Sequence, residues 1–348
     1  MPQRRAKNPW NHRGFSRMPS RPGRATVGLV MVNASDRPRV TVFGPDPLLS
    51  VTLERAGAVD EVHVHPAGQG VWLARMAGEL GAWPILCGCL GGETGTALRA
   101  LLEALPGERR LVPTTGSTGS YITDRRAGER QVVAMAARPA LGRHEVDDLL
   151  TATCAAALES AVLAVCNPFP AEGFPDDVYE TLVADVRAAG VPVIVDLSSP
   201  RLEHTLPFGP DLVKLNDWEL AGYVCGPVDG SRALDAVRRL QAAGAQAVVV
   251  TRGPEPILVA PRDGDPFEIV PPRLPRGFSE GCGDSMMGAI AAGWARGLGF
   301  REAIVLGAAA GSANFLRHGL GSGSRAIVEE MESRVVTRPL RMAERVPG

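Results

Sequence analysis

Phe278-Ser-Glu-Gly-Cys-Gly-Asp-Ser-Met-Met-Gly-Ala-Ile-Ala-Ala-Gly293 is the stretch whose reading decides the fold. Gly281 and Gly283, one residue apart, make a tight turn with unshielded backbone N–H groups, and the apolar run behind them predicts a helix over 284–297. Free N–H groups and the positive end of a helix dipole then point at one spot, which is an anion site. Asp284, at the helix start, cannot bind that anion. It can take a proton from a hydroxyl poised to attack the anion, a role worth roughly 10²–10⁴ in rate. Donors beside a carboxylate base are what phosphoryl transfer to an alcohol requires. A glycine turn capped by Asp is also an ordinary helix N-terminus, and these residues alone leave both readings open. A dinucleotide fingerprint fits less well, because Gly281-Cys-Gly-Asp-Ser-Met lacks its third glycine. Gly288, Ala289, Ala291, Ala292 and Gly293 are small enough to let a neighbour pack closely behind the turn.

Upstream of the turn, apolar β-branched runs alternate with helical periodicities. Strands are expected at 161–166, 191–196, 211–215 and 247–251, and helices at 144–159, 175–189, from Trp218, and at 231–243. Nearer the N-terminus, strands at 40–43 and 84–89 alternate with helices at 71–80 and 96–105, and short β segments and turns fill 111–133. Downstream come β segments at 256–260 and 267–270 and helices at 301–316 and 324–334. Such alternation indicates βαβ units and a parallel sheet. Ligands of such sheets sit beyond the carboxyl ends of the strands, where Asp196, Asn216 and Thr251-Arg252-Gly253 stand.

Composition narrows the function classes. The chain has 348 residues, 45% hydrophobic and 22% charged, which excludes disorder for the bulk of it. No apolar run is long enough to span a membrane. Aromatics are only 5%, and without a basic body the chain shows no nucleic-acid footprint. Six cysteines without C-x-x-C pairing or zinc spacing predict reduced thiols and a cytoplasmic protein. Residues 1–39 hold nine basic residues and one acid, so the remainder carries 28 basic against 37 acidic residues. That N-terminal stretch is expected to be a basic, disordered extension; a polyanion-binding arm and a solvated tail both suit its composition. Lysine occurs only at Lys7 and Lys214, amid abundant arginine.

Four elements, in order, resemble the ribokinase-like (PfkB) family of carbohydrate kinases, most closely its 1-phosphofructokinase/tagatose-6-phosphate kinase branch. A Gly-Ala-Gly-Asp turn corresponds to Gly281-Cys282-Gly283-Asp284, and Lys-Pro-Asn-x-x-Glu to Lys214-Leu215-Asn216-Asp217-Trp218-Glu219. Gly-Gly-Lys-Gly-x-Asn-x-Ala corresponds to Ala67-Gly68-Gln69-Gly70-Val71-Trp72-Leu73-Ala74, and Gly-x-x-Gly-x-x-x-Gly to Gly88-Cys-Leu-Gly91-Gly-Glu-Thr-Gly95. The match runs over about residues 40–335. It implies a three-layer α/β/α, Rossmann-like (ribokinase-like) fold with a small β-sheet lid. The kinase domain would span 40–338, with lid segments near 48–65 and 118–135 and a C-terminal tail at 339–348. It further implies Asp284 as catalytic base and Gly281, Cys282 and Gly283 as the anion hole for the transferring phosphoryl group. Asn216 and Glu219, with Lys214, would organise Mg²⁺ and the phosphates, the metal being held by Glu219 through water. Thr251 and Gly253 would lie near the ATP phosphates and Asn314 in the nucleoside pocket. Read without the resemblance, Asn216 is a helix cap and Asn314 a mid-helix Asn.

The acceptor side departs from the family pattern. Where the family carries Asn-Pro-x-x-Asp, this chain reads Gly44-Pro45-Asp46-Pro47-Leu48, so the sugar-binding Asp is Leu48, with Asp46 two residues earlier as its only substitute. The phosphate-reading Lys is Gln69, the hydroxyl-binding Asn is Trp72, and Thr-Arg-x-Asn reads Thr118-Gly119-Ser120-Tyr121. Losing two phosphate-reading cations removes strong charge-assisted contacts. Asp46, Gly68, Gln69, Gly70, Trp72 and Tyr121 therefore stand as the candidate substrate residues. The lid arginines Arg125, Arg126 and Arg130 are either replacement charge or a solvated hairpin. The expected activity is ATP- and Mg²⁺-dependent phosphorylation of a hydroxyl on a sugar-like small molecule that is not a sugar monophosphate, or holds its phosphate differently. The alternatives are a catalytically weak ligand-binding regulator and a nucleoside kinase, with Trp72 stacking on a base; Trp72 reads equally as core packing on its helix. No nucleic-acid or membrane partner is expected, and the resemblance suggests a homodimer through the lid.

Overall fold

Chain order follows the alternation of periodicities. β1 (Arg39–Phe43) runs into a hairpin of β2 (Leu48–Ala56) and β3 (Val59–Ala67), then α1 (Gln69–Glu79), β4 (Trp83–Gly91), α2 (Gly92–Glu103) and β5 (Glu108–Thr114). A second hairpin, β6 (Ser120–Asp124) and β7 (Gln131–Ala136), precedes α3 (Arg143–Ala157), β8 (Val162–Cys166), α4 (Asp177–Ala188), β9 (Val193–Asp196) and α5 (Arg201–Thr205). β10 (Leu212–Asn216), α6 (Asp217–Val224), α7 (Gly230–Ala243), β11 (Val248–Arg252), β12 (Glu255–Ala260) and β13 (Phe267–Val270) follow. The chain ends with α8 (Cys282–Ala295), α9 (Phe300–Phe315), α10 (Arg325–Glu332) and β14 (Val336–Pro339). The computed structural model describes residues 36–168, 174–228, 230–316 and 323–340. The basic stretch 1–35 and the last eight residues, 341–348, lie outside them. β14 ends one residue beyond the expected domain boundary at 338, because Val336–Pro339 pairs with β13.

The central sheet has the order β14-β13-β12-β11-β10-β9-β8-β1-β4-β5. From β5 to β11 every pairing is parallel, and the last three strands turn antiparallel. Parallel strands must be covered on both faces, which is why they read as nearly unbroken apolar runs. Val40, Val42, Val162, Ala164 and Ile194 face α1, α8, α9 and α10 on one side. Phe43, Leu163, Val165, Val193, Val195 and Val213 face α3, α4 and α7 on the other. The result is the expected three-layer α/β/α body.

The two hairpins leave this sheet and pair with each other as β3-β2-β6-β7, with β2 and β6 parallel. This is the small β-sheet lid. α8 begins at Cys282, two residues before the sequence-based start. Gly281 sits at φ +73°, in the left-handed region that favours glycine, and caps the helix there. Asp284 is thus the third residue of the helix, inside the first turn where a carboxylate feels the dipole most.

Candidate active site

Three strand ends converge under α8. Cys166 closes β8, Asp196 closes β9 and Asn216 closes β10, in adjacent parallel register. Above them the loop into α8 is locked by hydrogen bonds. Ser285 N–H donates to Gly281 O at 2.9 Å, Cys282 N–H to Ser279 O at 3.2 Å, and Phe278 N–H to Phe315 O at 2.9 Å. Cys282's own N–H is therefore committed, whereas Gly281 N–H and Gly283 N–H have no carbonyl acceptor among the described residues, and Gly283 N–H, in the first turn of α8, is taken as the donor at the tip. From α9, Asn314 Nδ2 donates to Glu280 O at 2.8 Å, while its buried Oδ1 has no partner. Asn314 is thus placed as a brace for the turn, a role the mid-helix reading did not contain.

Charge at this spot is concentrated and buried. Lys214 Nζ donates to Asp196 Oδ2 at 2.7 Å, with both side chains buried and Asp196 Oδ1 unpartnered. A methyl on Gly283 would lie 2.6 Å from Lys214 Nζ, so the ammonium sits directly against the anion turn. Burial opposes the lysine's charge, but Asp196, Glu219 and Asp284 outweigh it and raise its pKa. The Asp284 carboxyl is pushed up to about 7, first by burial, then by Asp196, with Lys214 pulling the other way and Glu219 adding to the rise. Glu219 is raised too, again by burial first and then Asp196. It also closes a capping box with Asn216: Glu219 N–H donates to Asn216 Oδ1 and Asn216 N–H to Glu219 Oε2, both at 2.8 Å. Asn216 is therefore a helix cap in fact, and the cap is what aims Glu219 at Lys214. Thr251 lies beside Asn216 in register and donates its hydroxyl to Leu215 O at 3.3 Å. Gly253 occupies the β11–β12 turn at φ +56°, and a methyl there would meet open space.

The acceptor-side residues gather through close backbone approaches. A methyl on Gly70 would lie 2.5 Å from Gly44 Cα, and one on Gly68 would lie 2.7 Å from Asp46 O. These contacts hold Asp46, Gly68, Gln69 and Gly70 at the N-terminus of α1. α1 in turn presses on α8, where a methyl on Gly288 would collide with Leu73 O. Asp46 is buried and bonded to Arg138 Nε, whose Nη1 donates to Pro139 O at 2.9 Å. Its carboxylate is consequently already neutralised by a cation the sequence reading had not singled out. Gln69 Oε1 is buried without a partner. Leu48, Ala67 and Tyr121 form an apolar cluster with Trp72 packed on it.

A family model described as pfkB family carbohydrate kinase matches residues 44–327. The chain belongs to the pfkB family of carbohydrate kinases. A relative from Mycobacterium tuberculosis, ATP-dependent 6-phosphofructokinase isozyme 2, is 29% identical over 84% of this chain and 88% of its own. The 1-phosphofructokinase of Rhodobacter capsulatus is 28% identical over 75% of this chain and 81% of its own. Among solved structures, phosphofructokinase-2 from Escherichia coli in complex with potassium superposes with a TM-score of 0.76 at 24% identity, over 85% of this chain and 99% of that one. The pfkB kinases are phosphotransferases with an alcohol acceptor, and membership implies use of ATP. Among the described residues no helix is long and apolar enough to cross a membrane.

Within this kinase, two departures from the family pattern meet in space. A side chain at Gly119 would start 2.7 Å from Leu48 Cδ2. Leu48 and Gly119, two positions where the sequence departs from the family pattern, therefore lie against each other. Three site-forming residues were missed. Asp196 was noted at a strand end but given no role. Arg138 carries no local signal, since its partner lies 92 residues away. Glu280, next to Gly281, bonds to Arg130 Nη1 of the lid, 150 residues away.

Proposed function

We propose that this chain transfers the γ-phosphoryl group of ATP to a hydroxyl of a sugar-like small molecule, with Asp284 as the base. One observation carries the reading: a buried carboxyl with pKa near 7 stands in the first turn of α8, beside Gly283 N–H and the Lys214 ammonium. Bound ATP with Mg²⁺ supplies the electrophilic phosphoryl group and part of its charge neutralisation. The residues present fit such a group. Lys214 and the glycine turn offer positive potential, and the buried Asp196 Oδ1 and Asn314 Oδ1 lack partners. Among the described residues no three acidic, His or Cys side chains cluster closely enough to hold a metal alone. Glu219, already bonded to Asn216 N–H, suits a metal that keeps its waters and takes most ligands from phosphate.

Asp284 would accept the acceptor's proton as its oxygen attacks. Gly283 N–H and Lys214 would hold the charge that spreads over the phosphoryl oxygens, with Gly281 and Cys282 shaping the turn that presents them. Thr251 and Gly253 would border the nucleotide phosphates and Asn314 the nucleoside side. On the acceptor side, Gln69 Oε1 would accept a bond from an acceptor hydroxyl near Gly68 and Gly70. The wall of Leu48, Ala67, Tyr121 and Trp72, with Asp46 neutralised by Arg138, favours an acceptor that presents an uncharged, partly apolar face. That supports a free sugar or nucleoside over a sugar monophosphate. The lid exposes Val62 at 64%, Val64 at 45% and Ile122 at 37%, and the register Val64–Val51–Ile122 puts them on one face of its sheet. Such an apolar face supports a homodimer through the lid. The six free cysteines support a reducing, cytoplasmic setting.

The test is ADP release with Mg-ATP over a panel of free sugars, sugar monophosphates and nucleosides, with Asp284→Asn alongside. Acceptor-dependent turnover that collapses in the variant is expected. Ligand binding without turnover in either protein would replace the kinase by a ligand-binding regulator.

A further inference from the structure

The loop that carries the anion turn is gripped by the lid. Glu280 immediately precedes Gly281 in the chain. Its Oε1 is bonded by Arg130 Nη1, and its Oε2 lies 3.9 Å from Arg125 Nη2. Both arginines belong to the β6–β7 hairpin. Arg125 is anchored by its own N–H to Leu53 O at 2.8 Å, and its guanidinium lies 4.7 Å from the centroid of the Phe278 ring. Arg130 lies over the Tyr121 ring at 5.6 Å, and Tyr121 belongs to the acceptor-side wall. On the opposite side of the same residue, Glu280 O accepts the Asn314 bond at 2.8 Å. Glu280 is therefore held by the lid through its carboxylate and by α9 through its carbonyl, one peptide from the anion turn.

We propose that Glu280 is a positioning residue: through the Arg125 and Arg130 clamp it couples the placement of the lid over the acceptor to the placement of the anion turn. The proposal rests on the kinase reading for its kinetic arm and on geometry alone for the rest. It gives two of the lid arginines a third role beside replacement charge and a solvated hairpin. Arg130 is bonded to Glu280 and Arg125 lies 3.9 Å from both Glu280 and Glu54, so a phosphorylated acceptor would have to compete with these carboxylates for them. Arg126 is not part of the clamp, because its guanidinium is taken by Asp124 at 2.7 Å and Asp60 at 2.9 Å.

The test compares Glu280→Gln, Arg130→Gln and the double variant. Arg130 is 26% and Glu280 39% exposed, so the pair is screened and the expected change is modest. For each single variant the acceptor KM should rise about fivefold with kcat lowered less, and the double variant should lose no more than the worse single one. Hydrogen exchange of the β6–β7 hairpin in the ligand-free proteins should quicken by a similar factor in all three, with Tm unchanged. This second readout needs no turnover. Additive kinetic losses with unchanged hairpin exchange would overturn the coupling while leaving the kinase reading intact. If no acceptor supports turnover even in the wild type, the kinase reading fails, and the exchange measurement alone decides the clamp: unchanged exchange overturns it.

Discussion

Replacing Asp284 by Asn separates chemistry from stability in one variant. Asn keeps the size of the side chain and removes both its basicity and its charge. Loss of a general base costs about 10²–10⁴ in kcat. The same change should stabilise the fold at neutral and higher pH. The Asp284 carboxyl titrates near 3.8 when exposed in the unfolded chain and near 7 when buried here. A raised carboxyl pKa means the native state holds its proton more tightly, so the burden on stability is absent below about pH 4. It grows as pH rises through the interval and is complete above pH 7. A shift of that size corresponds to an upper figure of about 4 kcal/mol. Lys214 loses one of its three acidic neighbours in the variant but keeps Asp196 at 2.7 Å, so a gain on the order of 2 kcal/mol is the safer expectation. Urea unfolding of both proteins at pH 4.5, 6 and 8, beside ADP release at pH 8, measures both effects. Wild-type kcat should also climb with pH through a midpoint near 7, where Asp284 is half ionised, and level off about one pH unit higher. A stability difference that does not change between pH 4.5 and 8 would refute the buried-charge reasoning. Undiminished turnover in Asp284→Asn would refute the base.

Gly283→Ala would put a methyl 2.6 Å from Lys214 Nζ, so the buried lysine must move off Asp196; kcat should fall about tenfold or more with the fold kept, by steady-state kinetics and circular dichroism. Gly119→Arg alone should destabilise the lid base by roughly 1–3 kcal/mol in urea titration, because the new side chain starts 2.7 Å from Leu48 Cδ2. Combined with Leu48→Asp it should fit, and the ratio of kcat/KM for sugar monophosphate over free sugar should rise about tenfold. Val62→Lys with Ile122→Lys should convert a lid-mediated dimer to monomer in sedimentation equilibrium, since two buried charges per protomer cannot be paired across an apolar face.

The body of this fold was legible because its signals are local. Val162–Cys166 is apolar over its whole length and β11 opens with three consecutive valines, Val248–Val250, and only strands covered on both faces tolerate such runs. Gly281-Cys282-Gly283-Asp284 was legible because a glycine turn and a helix start are properties of adjacent residues. The rest of the site is made of pairs that sequence separation hides. Asp46 meets Arg138 and Glu280 meets Arg130 only after the lid hairpins have folded onto the body. Nothing in Ala137-Arg138-Pro139 marks that arginine as a partner for a loop near the start of the domain. In sequence, Trp72 reads equally as a stacking surface beside a sugar and as core packing on its helix. It packs on Leu48 and Tyr121, which only the register of β2 against β6 brings together.

The survival of Lys214 has a geometric explanation. Only two of the chain's 37 basic residues are lysine, so arginine is the default cation of this sequence. In the middle of β10 the cation must fit between Asp196 Oδ2, 2.7 Å away, and a turn whose Gly283 would bring a methyl to 2.6 Å. A compact ammonium fits that gap and directs its remaining protons toward the anion turn. A planar guanidinium needs room for a five-donor fork and would press on the Gly283 backbone. The same crowding accounts for the glycine, since any side chain at 283 would take the volume the ammonium uses. Lys214 and Gly283, 69 positions apart, are thus one device, and substitution at either should fail in the same way: loss of positive charge at the tip of α8 where the phosphoryl oxygens would sit.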